Sequence, residues 1–292
     1  MRKIFRKTLA MALALSLVLP LGLSAAASDA LGEDLTAMDT LLHRETQLSA
    51  NTFWSTAYND LRTENLITYT PNTDVTPIVT YGEVLTDRNT VTAVARELEG
   101  QGYRVVAGIN GDFYNVNTGL PIGLVISEGE LRSSDGGYYA IGFRGDGTAV
   151  IGKPGVKITA HLGYMDTEGY GEEVSRQLTA VNKARVSEGG TYLYTYDFNS
   201  KHTTGNTESG VDVLCTVLEG RLSIGETVTA IVEQVGETAS ATEMGPDQIV
   251  LSANLKSDPY HVEALRNIPV GAAVTLEVSA AAEEWNDVEY AV

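Results

Sequence analysis

From Asn65 onward the chain is cut into short runs rich in Val, Ile, Thr and Tyr, each closed within a few residues by Gly, Asn, Asp or Pro. Such runs are too short for ordinary helices, and β-branched and aromatic side chains suit a pleated surface, so the texture predicts successive strands and turns. Strands are expected at 105–109, 123–127, 138–143, 148–151, 156–161, 231–235, 249–253 and 274–278, with two or three more within 178–218; Arg144-Gly-Asp-Gly147 reads as a hairpin turn. Two segments break the pattern. Val91, Val94, Ala95 and Leu98 share one helical face between Asn89 as cap and Gly100 as stop, and a shorter helical piece falls at 261–266. The first helix should lay its apolar face on a sheet. The expected fold class is α+β, a mixed, largely antiparallel β-sheet body with few covering helices.

The chain opens with Arg2, Lys3, Arg6 and Lys7, continues through a largely apolar run from Leu9 to Leu23, and reaches small residues at Ala25 and Ala27. Basic, apolar and small-residue regions in that order and at that length predict a cleaved secretory signal over 1–27, with no stable membrane span once it is removed. Residues 28–64 read as a partly helical lead-in, because Leu35, Met38, Leu41 and Leu42 fall at helix-like spacing. The remainder, 65–292, has no linker that would divide it. The expected location is secreted or in the cell envelope.

An exported chain with one cysteine, Cys215, has no internal disulfide, so its stability must come from apolar burial. Cys215 sits in Val211-Asp-Val-Leu-Cys-Thr-Val-Leu218 and reads as a packing residue. The net charge is −18, and removal of the basic leader makes the chain more acidic still. Nucleic acid is thereby excluded as a partner, since phosphate backbones are repelled and no cationic cluster breaks the pattern. The four histidines are far apart and show no zinc-ligand spacing, and phosphate-binding and dinucleotide loops are absent, so neither a metal nor a cofactor is expected.

Candidate chemistry is concentrated where the run at 105–109 exits into Asn110-Gly-Asp-Phe-Tyr114. An Asn-Gly pair is ordinarily a tight turn. Here it is followed by a carboxylate, two aromatics and the polar loop Asn115-Val-Asn-Thr-Gly-Leu-Pro121. A carboxylate can act as general acid or base, and aromatic faces suit the apolar side of a sugar ring. A second loop, Ser133-Ser-Asp-Gly-Gly137, reads either as a plain turn or as an anion cradle that includes Asp135. An anionic substrate would need a local cation in so acidic a chain; Arg104, Arg132, Lys183 and Arg185 are the candidates.

Gly108-Ile-Asn-Gly-Asp-Phe-Tyr114, Gly119-Leu-Pro-Ile-Gly-Leu-Val125 and Glu128-Gly-Glu-Leu131 resemble the first block of the phosphodiester glycosidase family. Asn182-Lys-Ala-Arg185, Tyr194-Thr195, Thr204 and Gly210 resemble its second block, so the resemblance extends from about Tyr81 to Val292. It implies an exported hydrolase that splits the glycosidic bond of a sugar 1-phosphodiester, of the N-acetylglucosamine type, in surface-glycan or exopolysaccharide metabolism. By the same resemblance Asp112 and Asn110 would be catalytic. Gly111, Phe113, Tyr114, Asn115, Asp135, Asn182, Arg185 and Thr204 would contact the glycan or sugar phosphate, with Arg185 gripping the phosphate through its guanidinium. The family's later Arg-Thr-Ala-Ile-Gly stretch and Asp-Gly-Gly-Gly-Ser-Ser loop have no counterpart here, so the domain is expected to be C-terminally incomplete. The alternative reading is a noncatalytic glycan-binding or structural envelope protein.

Overall fold

The computed structural model describes residues 32–71, 74–165 and 171–292, and the expected signal at 1–27 lies outside them. The chain forms two compact units, Met1–Thr70 and Pro71–Val292. In the first, β1 (Glu33–His43), β2 (Thr46–Ser55) and β3 (Asp60–Tyr69) make a three-stranded antiparallel sheet in sequence order. Tight turns at Glu45 and Asn59, both at positive φ, reverse the chain between them. The partly helical lead-in is therefore corrected to strands, and the expected break after residue 64 falls inside β3. Leu35, Met38 and Leu41 form no buried stripe; all three are exposed. An isolated helix of that length gains little by itself, whereas each strand here gains a full ladder from its neighbour.

The second unit begins its regular structure with α1 (Val91–Gly100). Thr90, not Asn89, is the cap: its extended backbone brings Oγ1 to the Ala93 amide at 3.2 Å. No residue of α1 is fully buried, so the helix does not cover a sheet as expected. It lies against the segment that follows, which is also a correction. Residues 105–109 form no strand and have no ladder partner among the described residues, although their composition suits one.

Among the described residues, thirteen further strands build two sheets. The smaller has the order β5-β4-β16-β6-β7, from β4 (Val125–Ser127), β5 (Glu130–Ser133), β6 (Ala140–Arg144), β7 (Ala149–Gly152) and β16 (Val288–Ala291). The larger follows the order β10-β11-β14-β12-β13-β15-β8-β9. Its members are β8 (Lys157–Met165), β9 (Gly171–Gln177), β10 (Ala180–Val181), β11 (Tyr192–Thr195), β12 (Gly210–Glu219), β13 (Thr227–Thr238), β14 (Gln248–Asn254) and β15 (Ala273–Ser279). Every described ladder is antiparallel except β10 with β11. The body is β-rich, as read, and the 144–147 hairpin closes β6 onto β7 with Gly147 donating to the Arg144 carbonyl at 2.8 Å.

The two sheets share one apolar core. Leu124, Ile126, Leu131, Trp285 and Ala291 from the smaller side meet Leu162, Val213, Cys215, Leu251 and Leu276 from the larger. Helix α2 (Pro259–Arg266), capped by Asp258, adds Val262, Ala264 and Leu265 to the same cluster. Cys215 is fully buried, and burial pushes its thiol up to about 12, which leaves it inert at neutral pH. Trp285 is the largest fully buried side chain. Trp285→Ala is expected to cost about 3–5 kcal/mol, read as a lower urea midpoint with unchanged slope.

Candidate functional site

Residues 112–123 form an irregular hairpin. Tyr114 bridges Pro121, the Ile122 amide donates to the Phe113 carbonyl at 2.9 Å, and the Asn115 amide donates to Leu120 at 2.8 Å. Asn115 Oδ1 accepts from the Asn117 and Thr118 amides and so shapes the tip. Gly119 adopts φ 79°, and a Cβ there would lie 2.0 Å from the Thr86 carbonyl oxygen, so no other residue fits the return. Phe113 and Tyr114 stand exposed, Phe113 at 82 %.

Asp112 anchors the base of this hairpin. Its Oδ1 accepts from the Phe113 amide at 2.7 Å and its Oδ2 from the Gly123 amide. A Cβ on Gly123 would come 2.7 Å from that same Oδ2, so the carboxylate approaches the backbone as closely as it does because residue 123 is glycine. On the other side of Gly123 lies Lys183. Its ammonium donates to the carbonyls of Pro121 at 2.6 Å, Ile122 at 3.0 Å and Gly123 at 2.9 Å. Burial holds the Lys183 pKa down to about 8, with the charges of Asp112 and Asp135 pulling partly the other way. Asp112 and Lys183, some seventy residues apart in the chain, thus meet at Gly123.

The other expected site residues divide between this place and another. Asp135 is within electrostatic reach of Lys183 and accepts from the Val156 amide at 3.2 Å. The neighbouring hydroxyls do not form a cradle: Ser133 donates to the Gly123 carbonyl, and Ser134 accepts from the Val181 amide at 3.0 Å. Asn110 is exposed, and Gly111 packs against Val292. Asn182, at φ 50° and fully buried, turns its amide inward to the Arg132 carbonyl and to Thr195 Oγ1, both at 2.8 Å. That turn delivers Lys183 outward to the hairpin.

Arg185 is not presented as a phosphate grip. Its side chain is 2 % exposed and engaged with Ser252 Oγ at 2.8 Å, the carbonyls of Ala253 and Glu208, and Asp212 at 3.6 Å. Asp212, equally buried, accepts from Ser252 Oγ at 2.5 Å and from Thr242 Oγ1 at 2.6 Å. Thr204 joins the same network by accepting from the Thr242 amide at 3.1 Å, and Asn206 links Ser252 to the Tyr194 hydroxyl. Sequence reading had no role for Asp212. The signal was present nonetheless, since a carboxylate inside an apolar strand run requires a buried cation. Arg132 is likewise occupied, spanning Glu130 at 2.9 Å and Asp197 at 2.6 Å. Those three residues, Tyr196 and Arg221 help line a cleft of about 160 Å³, small for a ligand site; of the four candidate cations Arg132 lines it, and Arg104, Lys183 and Arg185 do not.

Comparison with known protein families yields no match, and comparison with curated proteins yields none either. Among solved structures, a hypothetical protein from Synechocystis is similar, with a TM-score of 0.63 at 15 % identity over 88 % of this chain. The match spans 43 % of that protein, so the present chain corresponds to less than half of its length. At this identity the likeness concerns the fold. Among the described residues no three His, Cys, Asp or Glu side chains converge as metal ligands, and no helix is long and apolar enough to cross a membrane.

Two outcomes follow from the buried charges. Arg185→Met strands Asp212 without its cation and should cost about 3–5 kcal/mol, whereas Arg185→Met with Asp212→Asn should recover part of that loss in the same denaturation assay. For Lys183 the folded pKa lies below the ordinary lysine value of 10.5, so the unfolded chain binds the extra proton between about pH 8 and that value. Stability should therefore rise with pH through this window, and Lys183→Met should abolish the rise.

Proposed function

We propose that this chain is, or belongs to, an exported phosphodiester glycosidase acting on a sugar 1-phosphodiester of the N-acetylglucosamine type in surface glycan or exopolysaccharide. The reading includes the α+β class, two helices on a strand-built body. The observation that carries it is the meeting of Asp112 and Lys183 at Gly123, which joins both resembling blocks and puts a cation next to a carboxylate in an otherwise acidic chain. Lys183, rather than Arg185, is the group that receives the phosphodiester anion. Asp112 serves the attacking water as acid or base. In the reaction the bond from the anomeric carbon to the phosphate oxygen breaks; water supplies hydroxyl to the sugar and its other proton to the released phosphomonoester. Exposed Phe113 and Tyr114 offer faces for the sugar ring.

The test is release of free N-acetylglucosamine from an N-acetylglucosamine 1-phosphodiester by purified protein. Asp112→Asn should lower the rate on the order of a hundredfold, and unchanged turnover would refute the assignment. Lys183→Met should act mainly on KM, and wild-type activity should fall as pH rises through about 8, where the ammonium loses its charge. A second reading, a glycan-binding module without turnover, is favoured by one feature: both carboxylate oxygens of Asp112 are already held by main-chain amides. It predicts saturable calorimetric binding of polysaccharide with no product.

A further inference from the structure

Asn110-Gly111 is the single Asn-Gly pair in the chain, and the fold gives it none of the work that such pairs usually do. Neither residue takes positive φ and neither lies in a turn, so the pair does not reverse the chain. Asn110 is exposed, and among the described residues no hydrogen bond reaches its side chain or the Gly111 amide. Glycine is favoured at 111 all the same, because a Cβ there would lie 2.7 Å from Val292 Cγ2. The fold therefore keeps an unhindered, uncommitted main-chain amide directly behind an uncommitted side-chain amide. Other asparagines differ. In Asn199-Ser200, the pair with the next smallest follower at an exposed loop, Nδ2 donates to the Thr203 carbonyl at 2.6 Å and Oδ1 accepts from the Lys201 amide at 3.1 Å. Asn115 Oδ1 accepts from two amides, and Asn182 and Asn254 are buried.

We propose that Asn110 is a self-modification site, at which the folded protein converts asparagine to aspartate and isoaspartate with water as the co-reactant. The Gly111 amide nitrogen loses its proton and attacks Asn110 Cγ; the N–Cγ bond forms, the Cγ–Nδ2 bond breaks, and ammonia leaves with the proton. Water then opens the succinimide ring. Addition at Cγ breaks the new bond and gives aspartate. Addition at the main-chain carbonyl carbon breaks the original peptide bond, so the chain passes through Cγ, and the isoaspartate formed lengthens the main chain by a methylene. Glycine favours ring closure because no Cβ stands beside the attacking nitrogen. A main chain without hydrogen bonds reaches the closing conformation without first breaking structure, whereas Asn199 and Asn115 must open their loops. Either product places a new carboxylate two residues before Asp112, at the base of the hairpin.

The experiment reads mass and charge, so its outcome is independent of the glycosidase reading. The purified protein is held in mildly alkaline buffer, one sample native and one in urea, and its tryptic peptides are sequenced by mass spectrometry; Asn110, Asn115 and Asn117 share the peptide 105–132. The native sample should gain a more acidic species on ion exchange and a signal in an isoaspartyl methyltransferase assay, both mapping to Asn110. Its rate should lie within about fivefold of the rate in urea and about tenfold or more above that of native Asn199. Hydroxylamine, which cleaves the succinimide, should cut the native chain once, after residue 110. Asn110→Gln, whose longer side chain closes its ring far more slowly, should remove both the acidic species and the cut. A greater reduction of the native rate relative to urea overturns the proposal, because the fold would then be protecting the pair. So does modification of Asn199 or Asn115 that keeps pace with Asn110, or an acidic species that survives in Asn110→Gln.

Discussion

A guanidinium and a carboxylate held out of water organise the far end of the larger sheet. Arg185 and Asp212 are both almost fully buried, and each is costly to desolvate alone. The pair is tolerated because nearly every remaining donor and acceptor is used: Ser252, Thr242 and the carbonyls of Ala253 and Glu208 complete the shell. Through these bonds the loops around 182–190, 204–208 and 242 are tied to β12 and β14. The segment that carries Lys183 is therefore fixed at one end by Arg185 and at the other by the inward amide of Asn182.

Lys183 is treated differently by the fold. It also leaves bulk water, but it finds three carbonyl oxygens rather than a bonded carboxylate, and its pKa stays near the neutral range. A buried ion pair is locked by its carboxylate, whereas Lys183 is held by neutral carbonyl dipoles alone. Two cations two residues apart thus have separate tasks: Arg185 holds the scaffold, and Lys183 faces the hairpin that carries Asp112. Phe113 and Tyr114, beside Asp112 at the base of that hairpin, are exposed, and the backbone at 112–123 is closed by its own hydrogen bonds and by Gly119, independently of their side chains.

Much of the strand pattern was legible in residue order. Runs at 249–253 and 274–278 became β14 and β15 with small extensions, because alternation and β-branching act locally. The hairpin at 144–147 was legible for the same reason. Residues 32–64 were misread since the chance spacing of Leu35, Met38, Leu41 and Leu42 looks helical until the ladders of β1, β2 and β3 are seen, and ladders are non-local. The run at 105–109 fails in the opposite sense. Its composition is right for a strand, but strand formation needs a neighbour, and none of the described residues supplies one. For the site, Asp112 and Asn115 stood out by local chemistry, while Arg185 was preferred over Lys183 as the phosphate-binding cation, and the structure puts Arg185 in the scaffold.

Residue order alone determined that this protein is strand-built and acidic, with its single cysteine packed inside an apolar strand run. Those are properties of composition and near-neighbour spacing. Which cation is paired with a buried carboxylate and which with carbonyls, which hydroxyls are spent on the scaffold, and that Gly123 is the meeting point of two distant segments were decided by tertiary structure. The physical reason is desolvation: whether a charged side chain binds a ligand or serves the core depends on the partners that surround it after burial, and those partners come from strands far away in the chain.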